Sequence, residues 1–261
     1  MIQPRLLRIL QQFCECQCYS GDDTRIIVDS VFGNSFSECT QLACQVIDFY
    51  GDDLVICTSS EMNSSGFSPY LAPYQSEVQI LLRTGSQREA ESLTHELLHG
   101  KLLMAGFPYL DDEKLRRYLE HQWQFKACFN LYNIVCHELM FPLFIECGMD
   151  KHRFLMPDEV FESTGVQSRL NNTLQWWLCE WCKDWPAARQ TNNMHLILWA
   201  SAAEPIITSR HPTFAAKVLE LEAWFERGDH RNPNTFEGAF RLLLQIIGIE
   251  PLGDDYWFHL T

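Results

Sequence analysis

The order of apolar and polar positions predicts helices and short strands in the first part of the chain. Apolar side chains recur at helical spacing from 36 to 50, which indicates an amphipathic helix. Short apolar runs at 25–28, 54–57 and 78–82 predict strands, and the stretch 59–73, rich in Ser, Gly and Pro, predicts a loop. We therefore expect a small sheet, preceded by a short helix over 4–13.

The strongest helical pattern follows this sheet, from 87 to 104, and contains the sequence HELLH at positions 95–99. Gly106 and Pro108 come directly after it and are expected to end the helix. The strand nearest to this helix, over 77–83, is expected to lie at the edge of the sheet. An edge strand offers unpaired backbone groups to which an extended peptide can bind.

HELLH is an instance of the HExxH pattern of zinc hydrolases. His95 and His99 are one helical turn apart on the same face, so both imidazoles can reach one metal ion. Glu96 lies beside them and is the candidate catalytic base. The pattern also arises by chance, and two such histidines can simply be core or capping residues that bind nothing.

A catalytic zinc site takes three protein ligands, and the next helical stretch, from 115 to its expected end at Pro142, offers two. His137 and Glu138 are about 100° apart on a helix, so only one can point at the ion. We favour His137, because it continues a polar stripe, and keep Glu138 as the alternative. The stripe consists of Lys126, Asn130, Asn133 and His137.

Two neighbours of these residues, Asn133 and Tyr132, are candidates for support of the ligands or for contact with a substrate.

Beyond Gly148 the pattern becomes mostly helical, with helices predicted at 167–184, 192–204, 212–227 and 235–247. The expected fold class is α+β. We predict a catalytic domain over 1–148 and a helical region over 149–261 packed on it.

Composition narrows the functional classes. A formal net charge of −14 argues against broad binding to nucleic acid, which needs clustered Lys and Arg. The chain shows neither an apolar run expected to span a bilayer nor the apolar core of a signal peptide, so we predict a cytoplasmic protein with no membrane partner. Its eleven cysteines are then expected to be reduced. We interpret Cys14-x-Cys16-x-Cys18 as a partly buried connector rather than a site for a soft metal, and Cys179-x-x-Cys182 as helix packing rather than a redox or structural-zinc motif.

Residues 24–145 resemble the ImmA/IrrE group of bacterial zinc peptidases. The likeness rests on T-H-E-L-L-H-G-K-L followed by N-I-V-C-H-E-L-M-F-P, since the second helix of that group often ends in N-x-F-A-x-E-L-L-M-P. The helical C-terminal part is also similar to peptidases encoded beside helix-turn-helix repressors in anti-phage (CBASS-type) operons. Aligning the second motif places Leu131 where the group carries a glutamate ligand, so the third ligand must differ here.

The resemblance implies a small zincin-like sheet behind the HExxH helix and a gluzincin-like zinc metallopeptidase. It further implies that a cognate helix-turn-helix repressor is the substrate, and that its cleavage derepresses a DNA-damage response or antiviral defence operon. In the closer group, a thiol blocks the zinc until single-stranded DNA or another signal releases it. Cys18, Cys57 and Cys147, in or beside predicted loops, are the candidates for that thiol.

Two other functions remain open on the sequence. The chain could be a non-hydrolytic regulator or sensor that binds zinc on the same scaffold. It could also be a thiol-based redox sensor in which the histidines are incidental.

Overall fold

The structure is a computed structural model of the chain. It describes residues 17–61, 65–72, 75–111, 122–151, 154, 171–191, 194–250, 253 and 256–258. The helix predicted over 4–13 lies outside the described residues, as do Cys14 and Cys16.

Helices and strands both occur, and the α+β class is confirmed. In chain order the described elements are β1 (Gln17–Ser20), α1 (Thr24–Phe32), α2 (Ser37–Tyr50), β2 (Leu54–Ser59), β3 (Gly66–Ala72), β4 (Gln75–Arg83), α3 (Glu89–Met104), β5 (Tyr109–Leu110), α4 (Gln122–Glu146), α5 (Leu174–Thr191), α6 (Met194–Arg210), α7 (Phe214–Arg227), α8 (Phe236–Ile247) and β6 (Trp257–Phe258).

Backbone packing divides the chain into two compact units. One consists of Met1–Met104 and Pro142–Phe154, and the other of Ala105–Phe141 and Leu155–Thr261. Helix α4 contributes residues to both. These units differ from the regions 1–148 and 149–261 predicted from the sequence, and that domain boundary stays a prediction.

The first unit contains a four-stranded mixed sheet in the order β1-β2-β4-β3. Strands β1 and β2 are antiparallel, with Cys18 opposite Cys57. Strands β2 and β4 are parallel, and β3 runs antiparallel to β4. Helix α3, which carries HELLH, contacts α2, β3 and β4.

Two sequence-based expectations about this sheet are wrong. The stretch 59–73 is not all loop, because Gly66–Ala72 forms β3. Strand β4 is consequently not an edge, since it pairs with β2 on one side and β3 on the other. Pro69 argues against a strand on the sequence, because proline has no backbone N–H to donate to a sheet. An edge strand tolerates a proline whose missing N–H would face away from the sheet.

The strand predicted at 25–28 is also wrong, because these residues belong to helix α1. The run Arg25-Ile26-Ile27-Val28 has high strand propensity, but the burial follows a helical period. Thr24, Val28 and Phe32 are buried at a spacing of four residues, whereas Ile26 is 58% exposed. Packing of one helical face therefore outweighs local propensity here.

Helix α4 extends past Pro142, where the sequence analysis expected it to end, and continues to Glu146. The last turn packs Phe144, which is 1% exposed, and this burial offsets the hydrogen bond that the proline removes. The segment Trp123–Glu146, whose most apolar 18-residue window has a mean hydropathy of 1.3, is long and apolar enough to cross a membrane. The expectation that no such run exists is wrong, but half of its most apolar window is buried, as in a core helix.

The second unit contains helices α5 to α8. Helices α7 and α8 lie within two residues of the predicted ranges, whereas α5 and α6 continue seven and six residues past their predicted ends. Its best described core is an aromatic cluster. Phe236 and Phe240 stack in parallel with ring centroids 6.4 Å apart, and the rings of Tyr132 and Trp257 pack edge-on against them. Tyr132 thus belongs to the core of this unit.

Candidate metal centre

Helix α3 is held rigidly in the first unit by its apolar face. Leu93, Leu97 and Leu98 are all 0% exposed, as their helical spacing predicts. The hydroxyl of Tyr50 on α2 donates a hydrogen bond to the carbonyl of Gly100 at 3.0 Å. The backbone directly after His99 is therefore fixed by a buried contact.

Three histidines come together at this helix. The rings of His95 and His99 have centroids 5.2 Å apart. Each of these two histidines and His137 on α4 offers one imidazole nitrogen, and the three nitrogens all lie within 4.8 Å of one another. All three side chains are half-buried. In a tetrahedral zinc site with bonds of about 2.1 Å the ligand nitrogens are about 3.4 Å apart, so small side-chain rotations would complete it. The donor set therefore fits a metal ion.

Burial sets the protonation of the two histidines on α3. It lowers the pKa of His95 to about 4, and it holds the pKa of His99 well below the usual range, with a further contribution from His95. Both rings are consequently neutral at pH 7, which is the form that binds metal. The ring of Phe154 packs on His95 with centroids 5.3 Å apart and contributes to this burial.

Glu96 is a buried carboxyl group without a hydrogen-bond partner among the described residues. It is 7% exposed, and burial raises its pKa to about 8. An isolated buried carboxyl group costs free energy, and such groups concentrate at functional sites. A cation bound by the adjacent histidines would reverse the shift and favour the carboxylate.

Glu138, the alternative third ligand, is engaged elsewhere. Its Oε2 lies 2.5 Å from Nε2 of His230, and its Oε1 accepts a hydrogen bond from Arg231 at 2.6 Å. Burial opposes ionisation of the group, but the two partners offset it and the pKa of Glu138 lies below its ordinary value. The structure thus groups His137, and not Glu138, with His95 and His99.

The two proposed neighbours of the ligands have different surroundings. Tyr132 is 4% exposed and its hydroxyl donates to the carbonyl of Pro108 at 3.1 Å, which is a structural contact. Asn133 is half-buried, one turn before His137. The polar stripe proceeds from exposed Lys126 and Asn130 to these half-buried residues, so it both meets solvent and reaches the site.

None of the three candidate blocking thiols joins the histidine group, as far as the described residues show. Cys18 and Cys57 form a disulfide with each other, which contradicts the expectation that all cysteines are reduced. Cys147 is free and interacts with Cys39. Cys182 is fully buried on α5, and Cys179 lies on the same helix, as expected for packing residues.

Sequence reasoning missed His230, Arg231 and Phe154. The first two lie 92 and 93 residues from Glu138, in the short turn after α7, and no spacing rule relates such distant positions. A weaker signal existed, because a glutamate on an apolar helical face requires a cationic partner. Phe154 offered no comparable signal.

The chain matches no known family model, no curated protein and no solved structure. The likeness to the ImmA/IrrE group therefore rests on its motifs alone, and the candidate metal centre rests on the geometry of its three histidines.

Proposed function

We propose that the protein is a zinc-dependent endopeptidase with a zincin-like fold. The observation that supports this most directly is the proximity of His95, His99 and His137, with buried Glu96 on the same helix as two of them. Three imidazoles leave a fourth position open, which is the ligand set of catalytic rather than structural zinc.

Zinc bound by these histidines would supply Lewis-acid activation of a water molecule and of the scissile carbonyl. The chain itself supplies the proton transfers. The Glu96 carboxylate would accept the proton of the attacking water and deliver it to the nitrogen of the leaving amine. It is buried and has no hydrogen-bond partner among the described residues, which leaves it available for that exchange.

Because of the order of the strands, we locate the proposed peptide-binding edge at β3 instead of β4. Strand β3, not β4, lies at the edge of the sheet among the described strands, and it contacts helix α3. We propose that an extended substrate pairs with β3. Its backbone would then run alongside the helix that carries Glu96.

The substrate we propose is a cognate helix-turn-helix repressor, whose cleavage would derepress a stress or antiviral defence operon. Single-stranded DNA is the proposed activator, and cytoplasmic location is part of the same proposal. These three points come from the resemblance of the motifs. The formal net charge of −14 is compatible with a protein substrate. It is also compatible with binding of single-stranded DNA at one local site, but not with broad, sequence-independent binding to nucleic acid.

The test is co-incubation of the full-length protein with the product of the neighbouring repressor gene, with and without single-stranded DNA. Wild type is expected to cleave, and Glu96→Gln is expected to keep zinc but to be at least about 100-fold slower, as for loss of a general base. His211→Ala is the matched control, because His211 contacts the carbonyl of Asn172 and lies outside the histidine group. Stoichiometric zinc without cleavage under any condition would favour the non-hydrolytic regulator instead.

A further inference from the structure

Two free cysteines of the first unit contact each other beside helix α3. Cys39 on α2 is 0% exposed, and Cys147, directly after α4, is 8% exposed. The thiol of Cys39 donates to the carbonyl of Cys147 at 3.2 Å, and the two side chains are close enough for each thiol to shift the pKa of the other. The fold thus brings together two sulfur atoms from positions 108 residues apart.

The pair is connected to the HELLH helix through Thr94. The hydroxyl of Thr94 lies 3.5 Å from the sulfur of Cys39 and donates to the carbonyl of Ala90 at 2.8 Å. Thr94 is 0% exposed and directly precedes His95. A change in the covalent state of Cys39 therefore occurs in contact with this helix.

Cys39 differs from the other buried thiols. Burial raises the pKa of Cys128, Cys136 and Cys179 to about 12 each, which makes them poor nucleophiles. The hydrogen bond with Cys147 lowers the pKa of Cys39; burial opposes this effect, and Thr94 adds to it. The same hydrogen bond, together with burial, raises the pKa of Cys147.

We propose that Cys39 and Cys147 are a redox-active pair that hydrogen peroxide converts to an intramolecular disulfide. The assignment requires neither zinc binding nor peptide hydrolysis. Cys39 and Cys147 thereby differ in function from the described cysteines that only pack in the core. It also gives Cys147 a function other than binding the zinc ion.

The chemistry balances with one peroxide per pair. The Cys39 thiolate attacks one peroxide oxygen, the O–O bond breaks, and hydroxide leaves with the thiol proton as water, so Cys39 becomes a sulfenic acid. Once Cys39 is a sulfenic acid, its thiolate no longer raises the pKa of Cys147. The sulfur of Cys147 then attacks the sulfenic sulfur, the S–O bond breaks, and a second water leaves with the Cys147 proton. Two electrons pass from the two sulfurs to the peroxide.

Access of so small an oxidant to the pair would require local opening at the end of helix α4. Gly148 has a φ of 79° and ends the helix, and its N–H bonds to the carbonyl of Ile145 at 2.8 Å. Helix ends open locally more readily than helix interiors. The thiol of Cys147 lies at this end, next to its partner, so a sulfenic acid on Cys39 would be trapped as the disulfide.

The test is peptide mapping of the whole protein after treatment with hydrogen peroxide, with free thiols alkylated before digestion. We expect a Cys39–Cys147 linked peptide that appears before any Cys179–Cys182 link, lacks about two hydrogens relative to the two free peptides, and disappears with a thiol reductant. Cys147→Ser and Cys39→Ser should each abolish it. Cys44→Ser, on the same helix as Cys39, should retain it.

Recovery of Cys39 and Cys147 as free thiols under peroxide that oxidises other cysteines would overturn the proposal. So would a preferred link of either residue to a different cysteine. The wild-type map decides the question even if Cys39→Ser fails to fold. Neither result depends on peptidase activity, so this proposal and the proposed function can fail separately.

Discussion

The carboxylate of Glu138 lies 2.5 Å from Nε2 of His230, 92 residues away in the chain. The side chain of Glu138 is 9% exposed and that of His230 is 0% exposed. The imidazole also stacks on Trp224 with ring centroids 4.4 Å apart. Because Glu138 is engaged in this contact, it is not part of the candidate metal centre, although the sequence offered it as the alternative third ligand.

Removal of His230 should destabilise the second unit. His230→Ala removes a hydrogen bond from a buried carboxylate and leaves its contact with Arg231, and loss of one partner of a buried charged group costs about 2 kcal/mol or more. The free energy of unfolding can be measured by urea denaturation. Lys217→Ala is the control, because Lys217 and Glu220 form a more exposed pair at 2.8 Å, for which we expect a loss of about 0.5 kcal/mol or less. Equal losses in the two variants would contradict a buried hydrogen bond between Glu138 and His230.

The buried carboxyl of Glu96 predicts an effect of pH on metal-free protein. Its pKa rises from 4.5 to about 8 in the folded state, so unfolding releases a proton between these values and the free energy of unfolding falls as pH increases. Glu96→Gln cannot ionise and avoids this loss. At pH 8 the variant should be more stable than wild type by on the order of 3 kcal/mol, and near pH 4.5 the two should be similar.

Urea denaturation of chelator-treated protein at the two pH values measures this difference. The histidines are common to both proteins, so their contributions cancel. A variant that is no more stable than wild type at pH 8 would show that Glu96 is already ionised in the metal-free fold.

Tyr132 should support the fold rather than catalysis. Tyr132→Phe removes the buried hydrogen bond to Pro108 and should cost about 1 kcal/mol of stability, with kcat/KM changed by less than about threefold. Tyr50→Phe, which removes the bond to Gly100, is the matched variant and should lose a similar amount of stability. Thermal unfolding together with cleavage assays would check both. A large loss of kcat with unchanged stability in Tyr132→Phe would make its hydroxyl a substrate contact after all.

Part of this fold can be predicted from the sequence, because long amphipathic helices bury regular faces. The face of α2, Leu42, Ala43, Val46, Ile47 and Tyr50, is buried as its spacing predicts. The short run Arg25–Val28 is wrongly predicted as a strand, because its β-branched and long side chains are compatible with a strand or a helix. The burial of Val28 and Phe32 on one helical face determines the helix. The order of the strands depends on pairing between distant segments, which no local pattern contains.

The candidate site shows the same division. One helical turn fixes His95 and His99 relative to each other, so their proximity is a local property. The choice of His137 over Glu138 could be argued from the polar stripe, but its physical cause is the remote pair of His230 and Arg231. The disulfide between Cys18 and Cys57 follows from the register of β1 and β2, which the sequence does not reveal.

Zinc content tests the central claim most directly. After dialysis against a weak chelator, metal analysis of wild type, Glu138→Gln and His211→Ala should give one zinc per chain, while His137→Ala should lose at least about 90% of it, as expected when one of three protein ligands is removed. Circular dichroism confirms that each variant is folded. If His137→Ala keeps stoichiometric zinc, or if wild type binds none, the three histidines are not a zinc centre.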